Sequence, residues 1–190
     1  MSPDKAFELS LGNTAIQWFA VVLAFWASAY IGRRTLYLSG VCFQASMLLV
    51  IGIAASASNS SASFWVQATF LMLVFFSYGL TVGPITFSLV AEISSVKLRA
   101  QTCAMARATY YAVSVGMQYI NSYALNPLAW NLKGQSAFIW LGTAIGVIIF
   151  TWFFVPETKD RSYRELEILY VRGVPPRHFK KTKVEYSDDE

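Results

Sequence analysis

The sequence predicts an all-α polytopic membrane bundle with five transmembrane helices. Three observations carry this. No residue between Arg34 and Glu92 is charged, and Leu9 to Gly32, Ala108 to Leu132 and Gly134 to Pro156 are charge-free as well. A charge at mid-bilayer costs about 2.5 to 3.5 kcal/mol on insertion scales, so runs of this length suit helices that meet lipid and have no use in a soluble domain. The composition agrees, with 55% hydrophobic and 16% aromatic residues in a chain of 190. The basic residues, finally, fall on alternate loops, as they do when helices cross a membrane back and forth.

The elements follow in order. The opening MSPDKAFE lacks a basic n-region, and the apolar run after it exceeds a secretory core of about 7 to 15 residues. It reads as a retained first span, Ser10 to Ile31. A second span, Leu36 to Ala57, ends at SASNSSAS (Ser56 to Ser63), whose small polar residues make a poor lipid-facing helix and a good short outer loop. Asn59-Ser60-Ser61 fits a glycosylation sequon there, and its closeness to the membrane makes an unused sequon the expectation. The third span, Phe64 to Ala91, contains Gly79, Gly83 and Pro84, which remove bulk and one backbone hydrogen bond and so predict a kink. The fourth runs Cys103 to Leu125. NPLAWNLKG, Asn126 to Gly134, joins a proline stop, an interfacial Trp and a glycine turn, and Ser136 to Val155 is the fifth span. Residues 1–155 thus read as the bundle and 156–190 as a tail. In the tail, Glu165, Leu166, Leu169 and Tyr170 mark a short amphipathic helix ending at Gly173 and Pro175. Disorder is expected from Pro176 onward.

The formal charge of +4 does not form one patch. Arg33 and Arg34 follow the first span, Lys97, Arg99 and Arg107 flank the start of the fourth, and eight basic residues follow the fifth, while only Lys5 and Lys133 lie on the other side. The positive-inside rule places the amino terminus outside and the tail in the cytoplasm of an integral membrane protein. This distribution excludes a nucleic-acid surface, and the expected contact is membrane lipid. Cys42 and Cys103 read as buried small hydrophobes. No catalytic constellation, cofactor motif or metal-spaced ligand set is present: the lone His178 is in the tail, and no carboxylate lies in the middle of a span. The chain does not read as an enzyme.

The spans do contain uncharged hydrogen-bonding groups. Asn13 and Gln17, four apart, share a face of the first span, and Ser114, Gln118 and Asn121 share a face of the fourth. Amides donate and accept without the desolvation cost of a charge, which suits a neutral polyhydroxylated ligand. They equally suit hydrogen bonds between helices, so both uses stay open. Tyr110, Tyr111 and Phe87 offer flat apolar faces for a sugar ring or for packing.

GRRTLYLSG, GPITFSLVAEISSVKLRAQT, NPLAWNLKG and PETKDRSYRELEILYVRGVPPRHFK, in that order and spacing, resemble the sugar porter family of the major facilitator superfamily, most of all the fungal maltose and general α-glucoside permeases. The resemblance implies a partial major facilitator fold in which the five spans correspond to helices eight to twelve of twelve. It implies carbohydrate transport by sugar:proton symport, of the α-glucoside or hexose class, at the plasma membrane. It implies substrate contact by Gln17 and Phe87, which with the amides of Asn13 and Gln118 and the Gly83–Pro84 kink make up the expected substrate-binding residues, and gating ion pairs among Arg33, Arg34, Glu92, Arg99 and Glu157. Ala29, Gly79 and Asp160 depart from the family pattern, which often has an acid, a glutamate and a glycine there. Helices one to seven, with the proton-coupling carboxylate, have no counterpart, so an amino-terminal half is implied as the partner needed for transport. The alternative is a truncated, non-transporting membrane fragment or remnant that associates with a full-length permease.

Overall fold

A computed structural model describes residues 3–57, 61–94, 98–126 and 128–158, with residues 165, 166, 168, 169 and 179 of the tail. Among these there is no strand. The elements are α1 (Pro3–Tyr30), α2 (Arg33–Ala57), α3 (Ser61–Ser77), a π-helical turn (Tyr78–Val82), α4 (Gly83–Ile93), α5 (Arg99–Leu125), a 3-10 turn (Lys133–Ser136) and α6 (Ala137–Phe154). α3, the π turn and α4 run on as one rod, giving five rods. Four of them, at Ser10–Tyr30, Arg33–Ser56, Ser63–Ile93 and Gly134–Phe154, are long and apolar enough to cross a membrane. The remaining rod, α5, has 27 residues, roughly 40 Å of helix. It is long enough to span, but Arg99, Arg107 and its amide and hydroxyl groups make it the least apolar.

α2 is the central rod and packs along α3 and α6. Small residues set the closest approaches, as in other membrane bundles where backbone contact replaces the hydrophobic drive lost in lipid. Gly40 of α2 lies against the Thr81 side chain of the π turn with no room for a Cβ. On the opposite side, Gly79 meets α1 at Ala20 and Gln17, and Ala20 is fully buried. Much of the rest is open: 11% of the α1 and α6 spans and 28% of the α2 span are buried within the chain.

The kink expected at Gly79, Gly83 and Pro84 takes the form of a widened turn. Pro84 has no N–H, and its ring would press on the carbonyl four residues back in a regular helix. The π turn precedes it, and the Gly83 N–H bonds to the Tyr78 carbonyl five residues earlier. Thr81 Oγ1 donates to the Ser77 carbonyl at 2.7 Å and Thr86 Oγ1 to the Val82 carbonyl at 2.6 Å. These bonds occupy carbonyls beside the break that lipid would leave bare.

After α5, the Asn126 side chain accepts the Leu128 N–H at 2.9 Å, and Asn131 takes a left-handed conformation (φ 49°) that asparagine tolerates. In the tail, Glu165, Leu166, Ile168 and Leu169 are helical. Phe179 lies within the stretch read as disordered, yet it is fully buried with Leu166 and Leu169. Cys42 corrects another expectation, because it is exposed on α2. Asn59, Lys97 and Pro127 lie outside the described residues.

Candidate functional site: a charged end and an amide-bearing wall

The charges gather at one end of the bundle, where α1 turns into α2, α4 finishes and α6 gives way to the tail. Arg33 Nε donates to Glu92 Oε1 at 3.2 Å across 59 positions of sequence, with side chains 28% and 15% exposed. Each charge sits at an unfavourable helix end, Arg33 at the positive start of α2 and Glu92 at the negative finish of α4, so each offsets the other's dipole penalty. Thr158 Oγ1 donates to Glu92 Oε2 at 2.5 Å, and Ser88 Oγ reaches Oε1 at 3.4 Å from one turn earlier. Glu157 Oε2 accepts from Thr35 Oγ1 at 3.4 Å, and its carboxylate lies over Gly32, where a Cβ would collide.

Both arginines also finish helices. The last four carbonyls of a helix lack partners within it. Arg33 Nη1 donates to the Ser28 carbonyl of α1 at 3.0 Å, and Arg34 Nη2 to the Trp152 carbonyl of α6 at 2.8 Å. The Arg34 guanidinium also lies 5.8 Å from the Trp152 ring centroid, within cation–π range. One turn of chain thereby ties α1, α4 and α6 together. Arg99 opens α5 and is half-buried.

The residues expected to bind substrate fall into two patches. On α1 and the π turn, Gln17 packs against Gly79, Gly83 follows one turn later, and Pro84 opens α4. Asn13 Oδ1 is buried without a hydrogen-bond partner, which leaves a carbonyl acceptor available. On α4 and α5, the Phe87 ring meets Tyr110 edge to face at 6.0 Å, and the Arg107 guanidinium lies 4.8 Å from its centroid. Gln118 lies further along α5 and is exposed.

Sequence reasoning missed Thr158, Ser88 and Trp152 at the charged end, and Arg107 and Tyr78 at the wall. Ser88 carries a readable signal, four residues before Glu92 on one helix face. The Thr158 contact crosses 66 positions and has none. A cavity of about 1230 Å³ opens elsewhere, between α2, α3 and α6, and of the amide-bearing residues singled out in the sequence it is lined by Asn121 alone.

The family model for "Sugar (and other) transporter" matches residues 1–170. A maltose permease of Saccharomyces cerevisiae is 36% identical over 97% of this chain, and an α-glucosides permease of the same yeast is 34% identical over the same share. The chain spans 30% and 31% of their lengths. Among solved structures, the inward-open xylose transporter of E. coli superposes with a TM-score of 0.77 at 23% identity, over 87% of this chain and 36% of the transporter. A double-tryptophan variant of that transporter gives 0.78. The first resemblance establishes relationship and the second, at lower identity, the fold alone, with its partial coverage matching five rods. This integral membrane chain belongs to the sugar (and other) transporter family.

Proposed function

We propose that the chain forms the carboxy-terminal part of a sugar:proton symporter of the α-glucoside or hexose class in the plasma membrane, with its amino terminus outside and its tail in the cytoplasm. The observation that carries this reading is identity of 34–36% to maltose and α-glucosides permeases across 97% of the chain. Two groupings of residues support the reading. Arg33 and Glu92, with Arg34 and Glu157 beside them and Arg99 at the start of α5, act as the cytoplasmic gate, whose pairs hold in one state and separate in the other. Asn13, Gln17, Gly83, Pro84, Phe87 and Gln118 form one wall of the sugar site: amides bond hydroxyls, the π turn makes room, and Phe87 lies beside the ring.

Transporters of this construction bind substrate between two halves and rock one against the other. The opposite wall and the proton-coupling carboxylate are therefore assigned to chain beyond these residues. The 30% share of the relatives' length also favours a second reading, in which the 190 residues by themselves move no sugar and associate with a full-length permease. Co-expression with the amino-terminal two-thirds of a yeast maltose permease, followed by labelled maltose and glucose uptake, tests both. Proton-coupled uptake by the assembly, and none by either part, is expected. An assembly that forms but transports neither sugar overturns the first reading.

A further inference from the structure

The last two turns of α5 carry two tyrosines that neither the gate nor the wall uses. Tyr119 donates its hydroxyl to that of Tyr123 at 3.1 Å, and the two rings lie 4.8 Å apart with their planes tilted by 47°. Each hydroxyl thereby fixes the other ring, so the pair is an angled surface set before any ligand arrives. Both residues stay open, at 64% and 45% exposure. The chain after α5 folds back on this end: the Trp130 N–H donates to the Tyr123 carbonyl at 3.4 Å and the Leu132 N–H to the Ala124 carbonyl at 2.9 Å, which partners carbonyls that a helix end otherwise leaves bare.

What this surface meets follows from its neighbours on the helix. Ala124 is buried and marks the side of α5 turned to the rest of the chain. At about 100° of rotation per residue, Tyr111, Gln118, Tyr119 and Ser122, with Val115 among them, fall on the opposite side, and all are exposed. Lipid offers an amide no hydrogen bond, so a stripe that carries Gln118 is suited to a water-filled passage. An aromatic belt would account for tyrosines at a helix end, but belt hydroxyls reach toward headgroups, whereas these two bond each other and lie beside an amide. At its other end the stripe joins the proposed wall: Tyr111 meets Tyr110 edge to face at 5.5 Å, and Tyr110 meets Phe87 at 6.0 Å. Tyr111 and Tyr119 are separated by roughly 12 Å along the helix, more than one hexose ring covers and within reach of a glucoside of two or three rings. Aromatic faces pack against the apolar faces of such rings, while amides and hydroxyls take their hydroxyl groups.

We infer that Tyr119 and Tyr123 form an outer subsite that holds the remote ring of an α-glucoside while its leading ring lies at Phe87 and Tyr111, so that the site favours oligosaccharides over single hexoses. The inference rests on the proposed transport reading and narrows its substrate class. The test is equilibrium binding of labelled glucose, maltose and an α-1,4-linked glucose trisaccharide to membranes containing the full chain assembled with the amino-terminal two-thirds of a yeast maltose permease. Tyr119→Leu should weaken trisaccharide binding about fivefold, the scale of one aromatic contact, and leave glucose binding unchanged. Tyr123→Leu should show the same pattern more weakly. Tyr119→Trp, which keeps a ring, should retain the preference for the longer sugar, and Tyr119→Phe, which loses only the hydroxyl pair, should retain most of it. Equal losses for all three sugars in Tyr119→Leu would make the pair a contact between helices, and lower thermal stability with unchanged affinities would make it a belt; either overturns the subsite. Binding of no sugar by the natural assembly removes the transport reading and the subsite with it. Maltose binding whose chain-length preference survives Tyr119→Leu and Tyr123→Leu removes the subsite alone.

Discussion

The two ends of the proposed machinery differ in how complete they are. At the charged end, Glu92 accepts from Arg33, Thr158 and Ser88, and the arginines cap α1 and α6, all from within this chain. Along the wall, Asn13 Oδ1 has no partner and Gln118 is exposed. Charges in a membrane protein must find partners locally because leaving them bare is costly, whereas groups meant for a ligand must keep their bonding capacity until it arrives. Bonds satisfied around Glu92 beside an open acceptor at Asn13 are the pattern the proposed half-site needs.

The largest effect is expected from Glu92→Gln in the completed transporter. The substitution removes the charge that Arg33 and Thr158 both engage, at a pair partly open to water. Breaking a fully buried pair costs about 3 to 5 kcal/mol, and the exposure here lowers the expectation to about 2 kcal/mol, or roughly thirtyfold in the ratio of gate-closed to gate-open states. Maltose uptake should fall correspondingly. The exchange Arg33→Glu with Glu92→Arg should restore part of it. Equal uptake by Glu92→Gln and the natural chain would show the pair to be only a structural cap.

Gly40→Ala tests whether the wall can be disturbed with the gate left intact. A Cβ there meets Thr81 of the π turn, so the turn must shift away from α2. Overpacking of this kind costs about 1 to 3 kcal/mol. Lower thermal stability of the full chain in detergent is expected, with weaker sugar binding by the completed assembly. Chemical cross-linking of Arg33→Cys to Glu92→Cys should proceed as it does without Gly40→Ala. Loss of that cross-link would mean that gate and wall are one rigid unit.

How much of this was legible follows the same division. The residues of the charged end stood out because charges are rare in an apolar chain, and each marks the end of a span. The all-helical fold followed from run lengths, and the break near Pro84 from its missing N–H. The form of the break, a π turn, was not readable, since it depends on how Gly40 and Gly79 let α2 and α1 approach it. Thr158 stayed hidden because its contact depends on where the tail crosses beneath α4. The exposure of Cys42 and the cavity beside Gln44 depend on the spacing of rods, and hydropathy reports only that a residue tolerates lipid, not which neighbour it meets. For Asn13 and Gln17 the face was readable, while the choice between ligand and neighbouring helix was not.

The smallest effect separates those two uses. Asn13→Leu removes a buried acceptor that has no partner among the described residues. A buried polar group without a hydrogen bond costs about 1 to 3 kcal/mol, so its removal should leave the sugar-free chain as stable or stabilise it by about 1 kcal/mol. If the carbonyl is reserved for a sugar hydroxyl, the same change should weaken maltose binding by the completed transporter about fivefold, the net worth of one neutral hydrogen bond. Stability and affinity then move in opposite directions. A residue serving only to join helices inside this chain would lose stability on substitution and leave affinity unchanged. Thermal unfolding of the sugar-free chain and a maltose titration of the assembly therefore give the wall residue its role, and parallel losses in both would remove Asn13 from the binding site.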